Sequence, residues 1–124
     1  MRIVCLGGGP AGLYFAILMK QANPAAEITV LERNQADSTF GWGIVFSDKT
    51  MDGFRQDDPQ VVAEIERNFH HWDNVDVFFK DRRIISGGHG FCGIGRLKLL
   101  QIFQARAREL GVTLKFETEF RDPD

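Results

Sequence analysis

The residues Val4-Cys5-Leu6-Gly7-Gly8-Gly9-Pro10-Ala11-Gly12-Leu13 run from a short apolar segment, through glycines at G-x-G-x-x-G spacing, into a helix-forming segment. A strand that turns sharply into a helix leaves the first helical N–H groups unpaired at a partly positive end, where a pyrophosphate binds well. In such a turn Gly7 permits the reversal, Gly9 lets the backbone approach a ligand, and Gly12 lets helix and strand pack closely. Pro10 and Ala11 occupy the first helical turn, where the missing proline N–H costs little. Glu32 follows Gly12 by 20 residues, near where this motif needs a carboxylate for ribose hydroxyls, and Arg33 stands beside it.

Other residues invite a chemical reading. Asn34–Phe46 reads as a loop, yet it carries Phe40-Gly41-Trp42-Gly43-Ile44-Val45-Phe46. A loop this apolar is expected to pack on something: its own core, or a planar cofactor approached closely at Gly41 and Gly43. Arg96 opens a helix, where the macrodipole disfavours a cation, so it is a candidate for contact with an anion such as a cofactor phosphate. A solvated arginine is the alternative. His70-His71-Trp72-Asp73 has no third ligand at a useful spacing, so no metal is expected, and a solvated helix end beside a half-buried Trp72 is the simpler reading. His89, among Gly87, Gly88 and Gly90, suits a turn at least as well as catalysis.

These residues need elements to position them. Arg2–Leu6 is continuously apolar from Ile3 onward, the pattern of a parallel strand buried on both faces. A helix follows to about Gln21, stopped at Asn23-Pro24, and Glu27–Leu31 makes a second strand. The pair forms a βαβ unit expected to be right-handed. Ser47 or Asp48 can cap a short helix to about Arg55, and Asp58-Pro59 can start another to about Asn68. Val75, Val77 and Phe79 alternate as a half-buried strand would, and a tight Lys80-Asp81 turn joins 74–79 to 82–86 in a hairpin. Residues 86–93 read as a Gly-rich turn. An amphipathic helix runs from Arg96 to Leu110, stopped by Gly111, and Val112–Phe116 is a third parallel strand. Strand order 3-2-1 is expected.

Composition bounds the rest. The chain has 124 residues, 44% of them hydrophobic, enough for one modest domain with a core. A net charge of −2 offers no case for nucleic acid or an anionic membrane surface. Eleven phenylalanines are expected to dominate the core or line a pocket. Cys5 and Cys92 are not in C-x-x-C spacing, which suggests no disulfide scaffold and fits a reducing cytoplasm. The first strand begins almost at Met1, so no signal peptide is expected, and no apolar run could span a bilayer. A doubly wound sheet needs more than three strands, so residues 1–124 are expected to be the N-terminal part of a longer protein, with an insert at about 47–93.

The motifs also resemble a family. Gly7, Gly9, Gly12, Glu32 and Arg33, with Arg96-Leu97-Lys98-Leu99 opening a later helix, are similar to the cofactor motifs of FAD-dependent aromatic hydroxylases, the group A flavoprotein monooxygenases. A longer resemblance runs through residues 7–16, 40–48, His71-Trp72-Asp73 and 86–91. These look like the salicylyl-CoA 5-hydroxylases and 2-aminobenzoyl-CoA monooxygenases. The resemblance implies an α/β, Rossmann-like FAD-binding fold, three layers around a parallel sheet, incomplete here and carrying the inserted helices and hairpin. It implies FAD reduced by NADPH or NADH, O2 activated on the flavin, and hydroxylation of an aromatic substrate carried on CoA. It also implies that Glu32 and Arg33 hold the adenosine ribose, that Arg96 contacts FAD, and that Gly41, Trp42 and Gly43 lie beside the flavin. The catalytic residues are not implied, and a homo-oligomer is left open.

Two other readings share the glycine turn. A flavin disulfide reductase would carry a redox-active cysteine pair soon after the second strand, and none is present; an NAD-binding dehydrogenase domain is not excluded in this way. A non-catalytic nucleotide-binding module would leave Gly41-Trp42-Gly43 and Arg96 without a purpose.

Overall fold

The structure is a computed structural model and describes residues 1–121. In chain order the elements are β1 (Arg2–Leu6), α1 (Pro10–Ala22), β2 (Glu27–Leu31), β3 (Gly43–Ser47), α2 (Asp48–Asp57), α3 (Pro59–Glu66), β4 (His70–Trp72), β5 (Val75–Phe79), β6 (Arg82–Ser86), β7 (Phe91–Gly95), α4 (Arg96–Glu109) and β8 (Thr113–Lys115). They fall into two compact units: Met1–Gly41 with the segment from Arg96 onward, and Trp42–Gly95.

The first unit is mixed α/β. Its sheet is parallel with β2 in the centre, in the order β1-β2-β8, which is the 3-2-1 order expected. Helices α1 and α4 pack against each other, with Tyr14 stacked on Phe103 at 5.5 Å. Leu13, Ala16 and Ile17 of α1, Leu99, Phe103 and Ala107 of α4, and Ile28 and Val30 of β2 make the core. Burying each of the larger side chains is worth about 1.5–3 kcal/mol. Helix α1 ends where the Asn23 N–H donates to the Met19 carbonyl, and Lys20 Nζ donates to Pro24 O (2.8 Å) and Ala26 O (2.6 Å) beyond it. Gly111 takes φ +87° after α4, the left-handed conformation that suits glycine at a helix end.

Two expectations are corrected here. Strand β1 is not buried on both faces: Cys5 is buried, but Val4 and Leu6 are about 60% exposed (60% and 61%). Side chains alternate across a strand, so the helices cover only the face that carries Cys5. The phenylalanines do not dominate the core, though Phe40, Phe116, Phe69 and Phe120 line cavities, the other half of the expectation. Phe103 is fully buried, whereas Phe15, Phe40, Phe78, Phe79 and Phe120 are exposed.

The second unit has an antiparallel sheet, β3-β7-β4, a separate β5–β6 hairpin, and helices α2 and α3. Ser47 Oγ caps α2 by accepting from Thr50 N at 3.3 Å. Asp58, 1% exposed, caps α3 by accepting from Gln60 N (3.1 Å) and Val61 N (3.3 Å). Three segments differ from the sequence reading. Residues 43–47 are strand rather than loop, His70–Trp72 is strand rather than helix end, and 91–95 is strand rather than Gly-rich turn. All three belong to one sheet, so each depends on partners distant in sequence. The hairpin forms as expected, with Lys80 (φ +44°) and Asp81 (φ +60°) in a two-residue turn of the type hairpins favour. Its strands are exposed throughout rather than half-buried. Among the described residues no helix is long and apolar enough to cross a membrane.

Glu32, just after β2, ties the first unit together. Its N–H donates to Lys115 O (2.8 Å) and its carbonyl accepts from Thr118 N (2.9 Å), while its carboxylate Oε2 accepts from Gly8 N (2.8 Å). Oε1 accepts from Asn34 N (2.8 Å) and Asn34 Nδ2 (2.9 Å). Burial alone would raise this carboxyl, but the hydrogen bonds from Asn34 and Gly8, helped by Arg33, outweigh it and leave the group below its ordinary value of 4.5. A depressed carboxyl stabilises the fold fully above its unfolded value, and that contribution is lost as pH falls through the folded value.

Two predictions follow from this packing. A Cβ at Gly12 would collide with the carbonyl oxygen of Gly7, which is backbone and cannot swing aside. Gly12→Ala should therefore cost about 1–3 kcal/mol in urea unfolding; an unchanged midpoint would show that the turn has slack. Glu32→Gln should unfold at a lower temperature than the parent above about pH 5, and the gap should shrink as pH falls below the ordinary carboxyl range. A gap of the same size at acid and neutral pH would mean that the Glu32 charge contributes nothing.

Candidate functional site

The first unit brings the glycine turn, Glu32 and Arg96 to one place. After β1 the chain reverses at Gly7, whose φ is +104° and whose N–H donates to Leu31 O at 2.8 Å. Gly9 is the N-cap of α1 and Pro10 its first residue. Having no side chain, Gly9 caps none of the first-turn N–H groups, and a Cβ placed on it would meet nothing within 4 Å. The helix therefore presents its positive end to open space. Gly12 sits against the Gly7 carbonyl, where only glycine fits.

Gly8 has a place in this arrangement that the sequence reading missed. Its N–H holds the Glu32 carboxylate, and a Cβ there would lie 2.9 Å from Glu32 Cβ. The run of three glycines was the available signal. The G-x-G-x-x-G template treats the middle residue as variable and so hides it.

Two cavities meet at Glu32. The smaller, about 80 Å³, is lined by Gly8, Gly9, Glu32, Thr39, Arg96 and neighbouring residues. The larger, about 260 Å³, is lined by Leu6, Gly7, Glu32, Arg33, Thr118 and Phe120, among others. Within the smaller cavity, Arg96 Nε and Thr39 Oγ1 are buried and have no hydrogen-bond partner among the described residues. Buried donors are almost always paired, so two orphans lining one cavity point to a polar ligand. The loop wall of the cavity is held to α4 by Gln104 Nε2, which donates to Ala36 O at 2.9 Å.

The remaining residues of interest lie apart from this cluster in the chain. Gly41, at φ +93°, ends the N-terminal segment of the first unit. Trp42 and Gly43 belong to the second unit, where Gly43 pairs with Gly95 across β3 and β7. Of the two readings of residues 34–46, packing on the chain's own core is not found for Phe40 and Trp42, which are 74% and 98% exposed. Backbone pairing with β7, rather than side-chain burial, orders residues 43–47. His89 lies in the segment between β6 and β7, its Nε2 2.6 Å from Ser86 Oγ and its ring stacked on Phe91.

No family model matches the chain. Among curated proteins it is 44% identical over 123 residues to a salicyloyl-CoA 5-hydroxylase from a Streptomyces species, across 99% of this chain and 24% of that protein. It is 30% identical over 123 residues to the 3-hydroxy-4-methyl-anthranilyl-(aryl-carrier protein) 5-monooxygenase of Streptosporangium sibiricum, across 99% of this chain and 34% of that protein. The chain thus spans 24% to 34% of the length of these relatives. Among solved structures, the tetrameric form of 2-methyl-3-hydroxypyridine-5-carboxylic acid oxygenase superposes with a TM-score of 0.82 at 22% identity, over 95% of this chain and 32% of that one. CtdE, solved in complex with FAD and a substrate, gives 0.76 at 17% identity, over 96% and 30%. Over nearly all of its residues, then, this chain is similar in sequence to a salicyloyl-CoA 5-hydroxylase and a related monooxygenase, and it shares its fold with a solved oxygenase and with the FAD-bound CtdE.

Proposed function

We propose that this chain is the FAD-binding portion of a flavoprotein monooxygenase that hydroxylates an aromatic substrate with electrons from NADPH or NADH. The observation that carries the reading is Arg96. Its Nε is buried and unpaired in a cavity shared with Gly8, Gly9 and Glu32. An unsatisfied buried donor costs about 1–3 kcal/mol, and more when charged, which an anionic or oxygen-rich ligand would offset.

In this assignment the N-terminus of α1, from Gly9 through Pro10, Ala11 and Gly12, takes the pyrophosphate. Glu32 takes the ribose: its Oε2 accepts one hydrogen bond, from Gly8, and so keeps a lone pair for a hydroxyl. Arg33 stands at the larger cavity, and Arg96 donates to the ligand from the smaller one. Gly41, Trp42 and Gly43 are assigned from the motif, and the exposed Trp42 indole offers a face of the kind planar rings stack on. When bound, FAD supplies the redox chemistry that moves an oxygen atom from O2 to the ring. The residues here bind it, orient it and limit the access of water. Trp42–Gly95 is then an insertion in the cofactor-binding domain. One relative is named for salicyloyl-CoA and another for an anthranilyl group on a carrier protein; we extend an aryl-CoA substrate to the protein that carries this sequence.

The binding claim is tested by titrating FAD into the chain and following flavin fluorescence, with NADH as competitor. FAD should bind more tightly than NADH, and Glu32→Ala and Arg96→Ala should each weaken it by about tenfold or more, the value of a charge-assisted hydrogen bond. Tighter binding of NADH, or variants that hold FAD as the parent does, would sink the assignment.

A further inference from the structure

The second unit contains a cluster that the flavin reading does not use. We propose that Asp48, His71 and Cys92 form a binding site for a zinc-class divalent cation. His71 and Cys92 are direct cross-strand partners in the β4–β7 register, so their side chains leave the sheet on the same face. Asp48 is the first residue of α2, just beyond the β3–β7 pairing, and its N–H donates to Gly90 O at 3.0 Å. That bond fixes the Asp48 backbone beside β7. Gly90, at φ +59°, leaves room for the carboxylate, since a Cβ there would collide with it.

The spacing suits one small ion. His71 Nε2 lies 3.1 Å from Asp48 Oδ1, and Cys92 Sγ lies 3.6 Å from the same oxygen. One ligand atom from each residue lies within 4.8 Å of the others. Tetrahedral zinc, with bonds of about 2.0–2.3 Å, holds its ligands about 3.3–3.8 Å apart. A cavity of about 370 Å³ adjoins the three side chains and gives room for water at a fourth position. Its lining adds Asp52, Glu66 and Arg55. Arg55 bonds both acids, at 2.6 Å and 2.5 Å. Three carboxylates thus face one guanidinium, a balance that favours a cation.

The donor set of nitrogen, oxygen and thiol sulfur is that of zinc rather than of calcium or magnesium. In the metal-free chain the Cys92 thiol donates its S–H to Asp48 Oδ1. Binding exchanges that proton for the cation: the S–H bond breaks, a sulfur–metal bond forms, and one proton leaves to solvent. No electron is transferred. The chain spacing of 48, 71 and 92 matches no linear metal motif, because three separate elements supply the ligands.

Zn2+ and Co2+ titrated into the chelator-treated full chain decide the matter. One Zn2+ per chain should be retained in equilibrium dialysis, and Co2+ should give the near-ultraviolet charge-transfer absorption of a thiolate ligand. Cys92→Ser and His71→Gln should each weaken Zn2+ by more than about tenfold, the least expected even for an outer-shell partner. His70→Gln, one position along β4 and directed to the other face, should bind like the parent. Absence of stoichiometric Zn2+, Co2+ bound without the thiolate band, or a His71→Gln chain that binds like the parent would overturn the site and leave a plain hydrogen-bonded triad. The cobalt spectrum is read on the parent chain, so the outcome does not depend on how the variants fold.

Discussion

The first unit depends on how one carboxylate is held. Glu32 follows the central strand, and its backbone is locked to β8 and the segment after it. Its side chain reaches back to the Gly8 N–H in the turn between β1 and α1. Strand order, the turn and the start of the helix are thus fixed against one another by a single residue. Its charge is kept by the hydrogen bonds of Asn34 and Gly8, which outweigh the cost of partial burial. A residue so placed orients the turn before any ligand arrives, which lowers the ordering cost of binding.

The second constraint is steric. The α1 helix can approach β1 closely because Gly12 meets the Gly7 carbonyl with no Cβ between them. Gly9, where a Cβ would meet nothing within 4 Å, leaves the start of that helix open. The buried, unpaired Arg96 Nε comes to the same cavity from the far end of the sequence, at the start of α4. Local electrostatics argue against a cation at a helix N-terminus, and a ligand of opposite sign is the simplest compensation. The second unit is built differently. Its sheet brings together short strands distant in sequence, and register rather than sequence proximity sets His71 opposite Cys92.

Much of this was legible beforehand, and unevenly so. The strands at 2–6 and 27–31, the helix after the glycine turn, the helix from Arg96 and the Lys80-Asp81 hairpin all rest on local signals: continuous apolar runs, helical spacing, capping residues and turn chemistry. Strand order followed from the βαβ pattern. Residues 43–47, 70–72 and 91–95 were not read as strands: Ile44-Val45-Phe46 favours a strand but stands in a glycine-flanked apolar stretch that reads equally as a loop, and 70–72 and 91–95 are short and show no alternation. They are ordered by hydrogen bonds to one another. Exposure was also misjudged. An apolar segment such as Phe40–Trp42 signals a need for cover, yet sequence cannot say whether the cover lies within the chain.

By itself the sequence determined the chemistry on offer at the turn: three small residues, an acid 20 positions later and an out-of-place arginine. The glycines and the acid are set by residue type and spacing along one βαβ unit, where distance in sequence maps onto distance in space, and the arginine stands out by its place at the start of a helix. Only the tertiary structure decided that Gly8 is the donor to Glu32, that Arg96 Nε is buried without a partner, and that Asp48, His71 and Cys92 converge. Each of these joins residues from separate elements, and their meeting is set by sheet register and packing, which no single stretch of sequence encodes.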